Sequence, residues 1–183
     1  RQRQMCIRDR YKPRRQKKMN VLLNGNKVAL EGDPLKVGDE VPYFKLVDQN
    51  NEKVKTADLL GKVTLLSVVP DLNTDICSLQ TRRFNQAVDQ YTDVNFVTIS
   101  TNTVAEQRDW CAAEGVHNMR MLSDEQESFG YATKLYVPDT GFDTRSIYII
   151  DAAGVVLYSQ IVPEISDEPD YDAALTALSN VIA

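Results

Sequence analysis

The residues with the greatest chemical reach in this chain are three cysteines and one histidine, and their spacing limits what they do. Cys6, Cys77 and Cys111 form no CxxC pair and are too few for a disulfide scaffold. A zinc site usually takes about four Cys, His or carboxylate ligands, often in close pairs, so no metal is expected. His117 stands in the polar stretch GVHNM with no nucleophile elbow anywhere in the chain, which makes it a loop histidine rather than part of a Ser-His-Asp site. Cys77 differs in its setting: it closes PDLNTDIC (70–77), directly after the apolar run VTLLSVV (63–69). A strand running into this loop and on into a helix places Cys77 in the first helical turn. With Asn73 or Thr74 as N-cap it sits at N4 or N3, where backbone N–H groups lack an intrahelical acceptor. Those donors and the helix dipole favour a negative sulfur, and only the thiolate is a competent nucleophile. Pro70 stiffens the loop and takes out a donor, while Thr74 is close enough to hold its hydroxyl over the sulfur. A lone cysteine is also a common core filler, so packing stays open as a reading of Cys77 alone.

The elements that must position this loop follow from periodicity. VLLNGNKVAL reads as a hairpin with Asn24-Gly25 in the turn. EGDPLKVGDEVPYF is loop, YFKLVD a short strand followed by the polar turn QNNEK, and ADLLGK a single helical turn ended by Gly61. VTLLSVV, NFVTIS and SIYIID are apolar runs short enough to be strands covered on both faces. Between them, CSLQTRRFNQAVDQY carries Leu79, Phe84, Ala87, Val88 and Tyr91 on roughly one side of a helix. TVAEQRDWCAAEG is a second helix with Val104, Trp110 and Cys111, stopped by Gly115. GVVLYSQIV pairs back on SIYIID as a hairpin, and DYDAALTALSNVI is a terminal helix begun by Asp170 behind Pro169. Strands alternating with helices predict an α/β three-layer domain with a central mixed sheet.

Composition narrows the function classes. The 183 residues, 43% apolar, suit one domain, and the longest apolar runs fall far below the roughly 20 residues of a membrane span. A soluble protein without a membrane partner is expected. Residues 1–18 carry a charge of +8 and the remainder −13. So acidic a body is a poor nucleic-acid binder, and only the basic tail could make such a contact. That tail has neither a signal-peptide core nor an apolar stripe; it is expected to be disordered, with native translation beginning at Met19 and the domain spanning 19–183. The missing signal peptide implies a cytoplasmic protein.

PDLNTDIC resembles the peroxiredoxin active-site loop Pro-x-x-x-Thr-x-x-Cys, with Pro70, Thr74 and Cys77 on its three fixed positions. CSLQTRRFN, the RDWCAAEG segment and IVPEISDEPDYDAAL look like the thiol peroxidase branch of the atypical two-cysteine peroxiredoxins, over about residues 19–183. The resemblance implies a thioredoxin-like fold with an added N-terminal β-hairpin. It makes Cys77 the peroxidatic cysteine that turns hydrogen peroxide or an organic hydroperoxide into water or an alcohol, leaving a sulfenic acid. Thr74 would bind the peroxide and orient the sulfur, Pro70 would shield it, and Cys111, 34 positions on, would resolve the sulfenate as an intramolecular disulfide. Arg145, opening RSIYIID, matches the family arginine that keeps the sulfur ionised. The resemblance further implies thioredoxin as reductant, a homodimer, and no bound cofactor, in keeping with the lack of any GxGxxG.

Without the resemblance, Arg145 at a strand start is a solvated or ion-paired residue and Cys111 is equally well a packing residue beside Trp110. Arg82 and Arg83, off the i+3/i+4 ridge of Cys77, belong to a solvated face. Two rival readings remain: a thioredoxin-fold thiol-disulfide oxidoreductase, disfavoured because Ser78, Leu79 and Gln80 follow Cys77 with no second thiol, and a redox-inert binding domain. Bridging two cysteines requires Cα atoms within about 7 Å. The peroxidase reading therefore expects the first turn around Cys77 to unwind after oxidation and the Cys111 segment to rearrange.

Overall fold

The computed structural model describes residues 18–116 and 119–182. The basic tail to residue 17, with Cys6, and His117 lie outside the described residues. In chain order the elements begin with β1 (Asn20–Leu23), β2 (Asn26–Ala29), β3 (Lys45–Val47), β4 (Lys53–Lys55) and a 3-10 turn at Thr56–Leu59. There follow β5 (Val63–Val68), α1 (Asp75–Ala87), a 3-10 turn at Val88–Gln90, β6 (Val94–Ser100) and α2 (Val104–Glu114). β7 (Arg120–Ser123), α3 (Ser128–Thr133), β8 (Tyr136–Val137) and β9 (Phe142–Asp143) come next, then β10 (Ser146–Ile150), β11 (Val156–Ile161) and α4 (Tyr171–Ile182).

Seven strands form one mixed sheet in the order β11-β10-β5-β6-β7-β3-β4. β5, β6 and β7 run parallel at its centre, and the flanking pairs are antiparallel. Alternation along the strands sends successive side chains to opposite layers. Leu65, Phe96, Ile147 and Ile149 face a cluster shared with Phe84 of α1, Trp110 of α2 and Leu178 of α4. Leu66, Val97, Ile99, Tyr148 and Ile150 face the other, covered by Leu59 and by Phe129 of α3. This is the expected three-layer α/β fold. Each fully buried large apolar side chain contributes about 1.5–3 kcal/mol, so the paired faces fix the sheet and, with it, the strand ends that carry the site.

The hairpin β1–β2 turns at Asn24 and Gly25 with φ of 51° and 83°, the positive values that an Asn-Gly turn supplies. Gly115 ends α2 at φ 67°. Asp170 caps α4, accepting from the Ala173 N–H at 3.0 Å. One expected face differs. In α1 the buried residues are Cys77, Gln80, Thr81, Phe84 and Ala87, whereas Leu79 is 42% exposed. Counting back from Phe84 by three or four reaches 80 or 81 and then 77, so Leu79 falls off the ridge, and two polar side chains hold positions that an apolar pattern skips. β7, α3 and the β8–β9 pair have no counterpart in the sequence expectations.

Two buried carboxyls organise that last region. Asp124 accepts the Phe129 and Gly130 N–H groups, both at 2.9 Å. Asp143 is fully buried with Asp124 as its polar neighbour, and a Cβ at Gly130 would collide with its carboxyl. Burial first, and the neighbouring Asp124 second, hold the Asp143 carboxyl well above the usual carboxylate range.

Candidate active site

The loop after β5 is shaped by Asp71 and by Asn102 from the β6–α2 connection. Asn102 Oδ1 accepts the Leu72 N–H at 2.9 Å, and its Nδ2 donates to Asp71 Oδ1 at 2.9 Å. The Asp71 carbonyl accepts the Thr74 N–H at 3.1 Å and the Thr74 hydroxyl at 3.0 Å. This closes a tight turn that delivers Thr74 as N-cap of α1, with extended backbone at ψ 149°. Cys77 is then the third residue of the helix, fully buried. The Thr74 hydroxyl gives its proton to Asp71, so its oxygen is left as an acceptor. Pro70, buried beneath the loop, is held through its carbonyl by the Thr101 hydroxyl at 3.3 Å.

Arg145 enters from the opposite side, at the start of β10, only 2% exposed. Its Nη2 donates to Cys77 Sγ at 3.2 Å, its Nη1 to Gln80 Oε1 at 2.9 Å and its Nε to the Ile165 carbonyl at 2.8 Å. Gln80 in turn donates to Ser67 Oγ at 2.9 Å. Among the described residues no ion pair involves Arg145. Two of its three partners are neutral oxygens and the third is the sulfur. Arg82 and Arg83 lie on the solvated face, against Glu114 at 3.5 Å and Asp172 at 4.0 Å.

Pro70, Thr74, Cys77 and Arg145 line one cavity of about 320 Å³. Leu23, Ile76, Phe142 and Ile165 give it apolar lining, and Asn24, Asp71, Asp75 and Ser166 also line it. Cys111 does not line it. That thiol lies in the third turn of α2, 7% exposed, beneath the β3–β4 turn. Gln49 Nε2 donates to its sulfur at 3.6 Å, and Arg108 holds the Gln49 carbonyl. Burial pushes the Cys111 thiol up, and the Gln49 contact partly offsets this. Both thiols are free, and both belong to the same apolar cluster. Among the described residues no group of three or more potential ligands is placed to hold a metal, and no helix is long and apolar enough to cross a membrane.

Sequence reasoning missed Gln80, Asn102 and Asp71. Gln80 had a signal, because i+3 from Cys77 is the same helix ridge. Asn102 had none, because it reaches Leu72 across 30 residues of chain.

This geometry has close parallels. The profile of the AhpC/TSA family matches residues 37–159. A thiol peroxidase of Listeria monocytogenes is 41% identical over 158 residues, which span 86% of this chain and 96% of that protein. One of Bacillus subtilis is 36% identical over 163 residues, 88% and 98% of the two chains. Among solved structures, a peroxiredoxin-like protein from Aquifex aeolicus superposes with a TM-score of 0.84 at 28% identity, covering 90% of this chain and 99% of that one. The thiol peroxidase from Chromobacterium violaceum, at 21% identity and a TM-score of 0.82, covers 91% and 99% and shares the fold. With a capped Pro-x-x-x-Thr-x-x-Cys loop facing a buried arginine, and relatives of this identity along most of its length, the chain belongs to the AhpC/TSA family, in the thiol peroxidase branch of the peroxiredoxins.

Proposed function

We propose that this thiol-dependent peroxidase uses Cys77 as the attacking sulfur and Cys111 as the resolving one. The observation that carries the reading is the buried Arg145, which has no carboxylate partner among the described residues and donates to Cys77 Sγ at 3.2 Å. That contact favours an anionic sulfur at the floor of a cavity. The thiolate gives an electron pair to the terminal oxygen of a hydroperoxide, the O–O bond breaks, and the leaving alkoxide or hydroxide takes a proton to become alcohol or water. Cys77 is left as a sulfenic acid. Thr74 Oγ, its own proton engaged by Asp71, accepts the peroxide O–H and aligns the oxygen with the sulfur, while Pro70 closes the loop against water. The Cys111 thiol then attacks the sulfenic sulfur, forming the disulfide and releasing water.

Resolution requires the first turn of α1 to open and α2 to loosen around Cys111, since the two sulfurs occupy different elements and only one reaches the cavity. An external dithiol, thioredoxin in this reading, returns both thiols by exchange. Hydrogen peroxide fits, and so does an organic hydroperoxide, whose apolar body matches the apolar lining of Leu23, Ile76, Phe142 and Ile165. A cytoplasmic homodimer completes the reading, the dimer being testable by light scattering.

Stoichiometric hydroperoxide followed by intact-mass measurement tests it. The expected result is loss of two hydrogens from the reduced wild type and, in Cys111→Ser, a trapped sulfenate on Cys77. A Cys77 unreactive toward peroxide would leave a redox-inert binding domain, and turnover of protein disulfides without peroxide consumption would leave an oxidoreductase.

A further inference from the structure

We infer that Glu164 is a specificity-determining residue, a carboxylate latch that holds the apolar wall of the cavity in shape for hydroperoxides with a bulky organic body. The inference rests on the reading of Cys77 as the attacking sulfur. The Glu164 side chain reaches the turn of the N-terminal hairpin, where Oε1 accepts the Asn24 N–H at 2.8 Å and Oε2 the Gly25 N–H at 3.1 Å. Both donors are presented outward by the positive φ of these two residues. Oε1 also accepts from Ser166, through its hydroxyl at 2.5 Å and its N–H at 3.4 Å. Those contacts, led by the Ser166 hydroxyl, hold the Glu164 carboxyl below the usual range, so it is anionic at neutral pH.

The latch joins two segments far apart in sequence. Leu23 and Asn24 on the hairpin side, and Ile165 and Ser166 on the other, all line the cavity that ends at Cys77. The backbone between them is already bonded, Leu22 N–H to the Pro163 carbonyl at 2.7 Å and Ile165 N–H to the Leu22 carbonyl at 2.8 Å. Ile165 therefore keeps its carbonyl on Arg145 without help from Glu164. What the carboxylate adds is the position of the turn itself, and hence of Leu23, on a two-stranded hairpin that is not part of the main sheet. The body of the hairpin packs through Val21, Leu23 and Leu30 against Val137, Phe142 and Ile165, so what is left for the carboxylate to fasten is the turn at Asn24 and Gly25. Hydrogen peroxide is little larger than water, which takes about 30 Å³, and needs only the floor of a cavity of about 320 Å³. A bulky hydroperoxide must bury its body against Leu23 and its neighbours, where a preorganised wall contributes affinity.

Steady-state peroxide consumption, with dithiothreitol as reductant so that no protein partner enters, tests this with hydrogen peroxide and cumene hydroperoxide as probes. In Glu164→Ala the ratio of kcat/KM for cumene hydroperoxide to that for hydrogen peroxide is expected to fall about tenfold, carried by KM. Glu164→Gln, which keeps one acceptor oxygen, should fall between Ala and wild type. Ser166→Ala, which removes a single hydroxyl donor, should lower the same ratio about twofold. In the folded variants, hydrogen exchange at the Asn24 and Gly25 amides should accelerate in step with the ratio. An unchanged ratio, whether both substrates lose rate together or neither does, overturns the latch, and Ser166→Ala decides the matter if Glu164→Ala does not fold. A Cys77→Ser control that still consumes peroxide overturns this inference and the underlying assignment together. A dead control with an unchanged ratio overturns the latch alone.

Discussion

In the proposed mechanism Arg145 sets the reactivity of the sulfur, because among the described residues it is the one cation bonded to Cys77, and its other two contacts are neutral oxygens. Replacing it with Lys keeps a charge but loses the three-pronged geometry. Arg145→Lys is expected to slow the single-turnover reaction with peroxide by about 10²-fold, the scale seen when one preorganised donor is removed from a developing anion. Stopped-flow peroxide consumption measures this, and Cys77→Ser gives the zero. Gln80→Leu should slow the same step about tenfold and cost about 1–3 kcal/mol of stability, since it leaves Arg145 Nη1 and its own buried site short of a polar partner. Rate and chemical denaturation in parallel separate the two effects. At this scale the sequence was uneven. Pro70, Thr74 and Cys77 were legible as one group because they lie within eight residues of one another at a helix start, while the roles proposed for them came through family resemblance. The place of Arg145 against the sulfur was legible only through family resemblance, because 68 residues separate the two.

At the scale of elements, α2 and the β3–β4 turn set how accessible the Cys111 thiol is. Cys111 faces inward from the third turn of α2 and is covered by Gln49 on the β3–β4 turn. Its thiol is raised by burial, so the neutral form belongs to the closed helix. The stabilisation it lends is therefore complete below the ordinary thiol pKa of about 8.5 and is lost as pH rises through the higher folded value. Wild type is expected to lose melting temperature relative to Cys111→Ser as the pH climbs from about 8 to about 10. A parallel series of thermal melts checks this. In a Cys77→Ser background, Gln49→Ala should raise the labelling rate of Cys111 by about fivefold, the equivalent of one modest hydrogen bond. The element map shows why periodicity succeeds or fails. Long apolar runs announced β5, β6 and β10, and caps announced α2 and α4. β7 went unseen because RMLS is four residues with a charged start, and α3 because SFGYAT is six residues with a glycine in its middle. Their structure comes from contacts with β6 and from the Asp124 cap, and a local window contains neither.

Across the whole molecule, stability depends on a buried carboxyl whose polar neighbour is a second carboxyl, Asp124. Asp143 is held protonated by burial and by Asp124. Raised in the fold, it contributes fully below about pH 3.9 and progressively less as pH rises through its folded value, because the unfolded chain ionises first. Asp143→Asn removes this linkage while keeping the shape. It is expected to gain at least about 1 kcal/mol, roughly 2–4 °C in Tm, at about pH 8, and to lose that advantage near pH 4. The sheet manages its exposed β4 edge with Lys53 and Lys55 flanking the inward Val54, a pattern that discourages edge-to-edge association. The chain's single tryptophan, Trp110, sits next to Cys111 and is only 8% exposed, packed in the cluster that also holds Cys77. Its emission should therefore be blue in the closed form and shift red when α2 loosens. In the proposed cycle that indole would let a spectrofluorimeter time the meeting of the two sulfurs without a label.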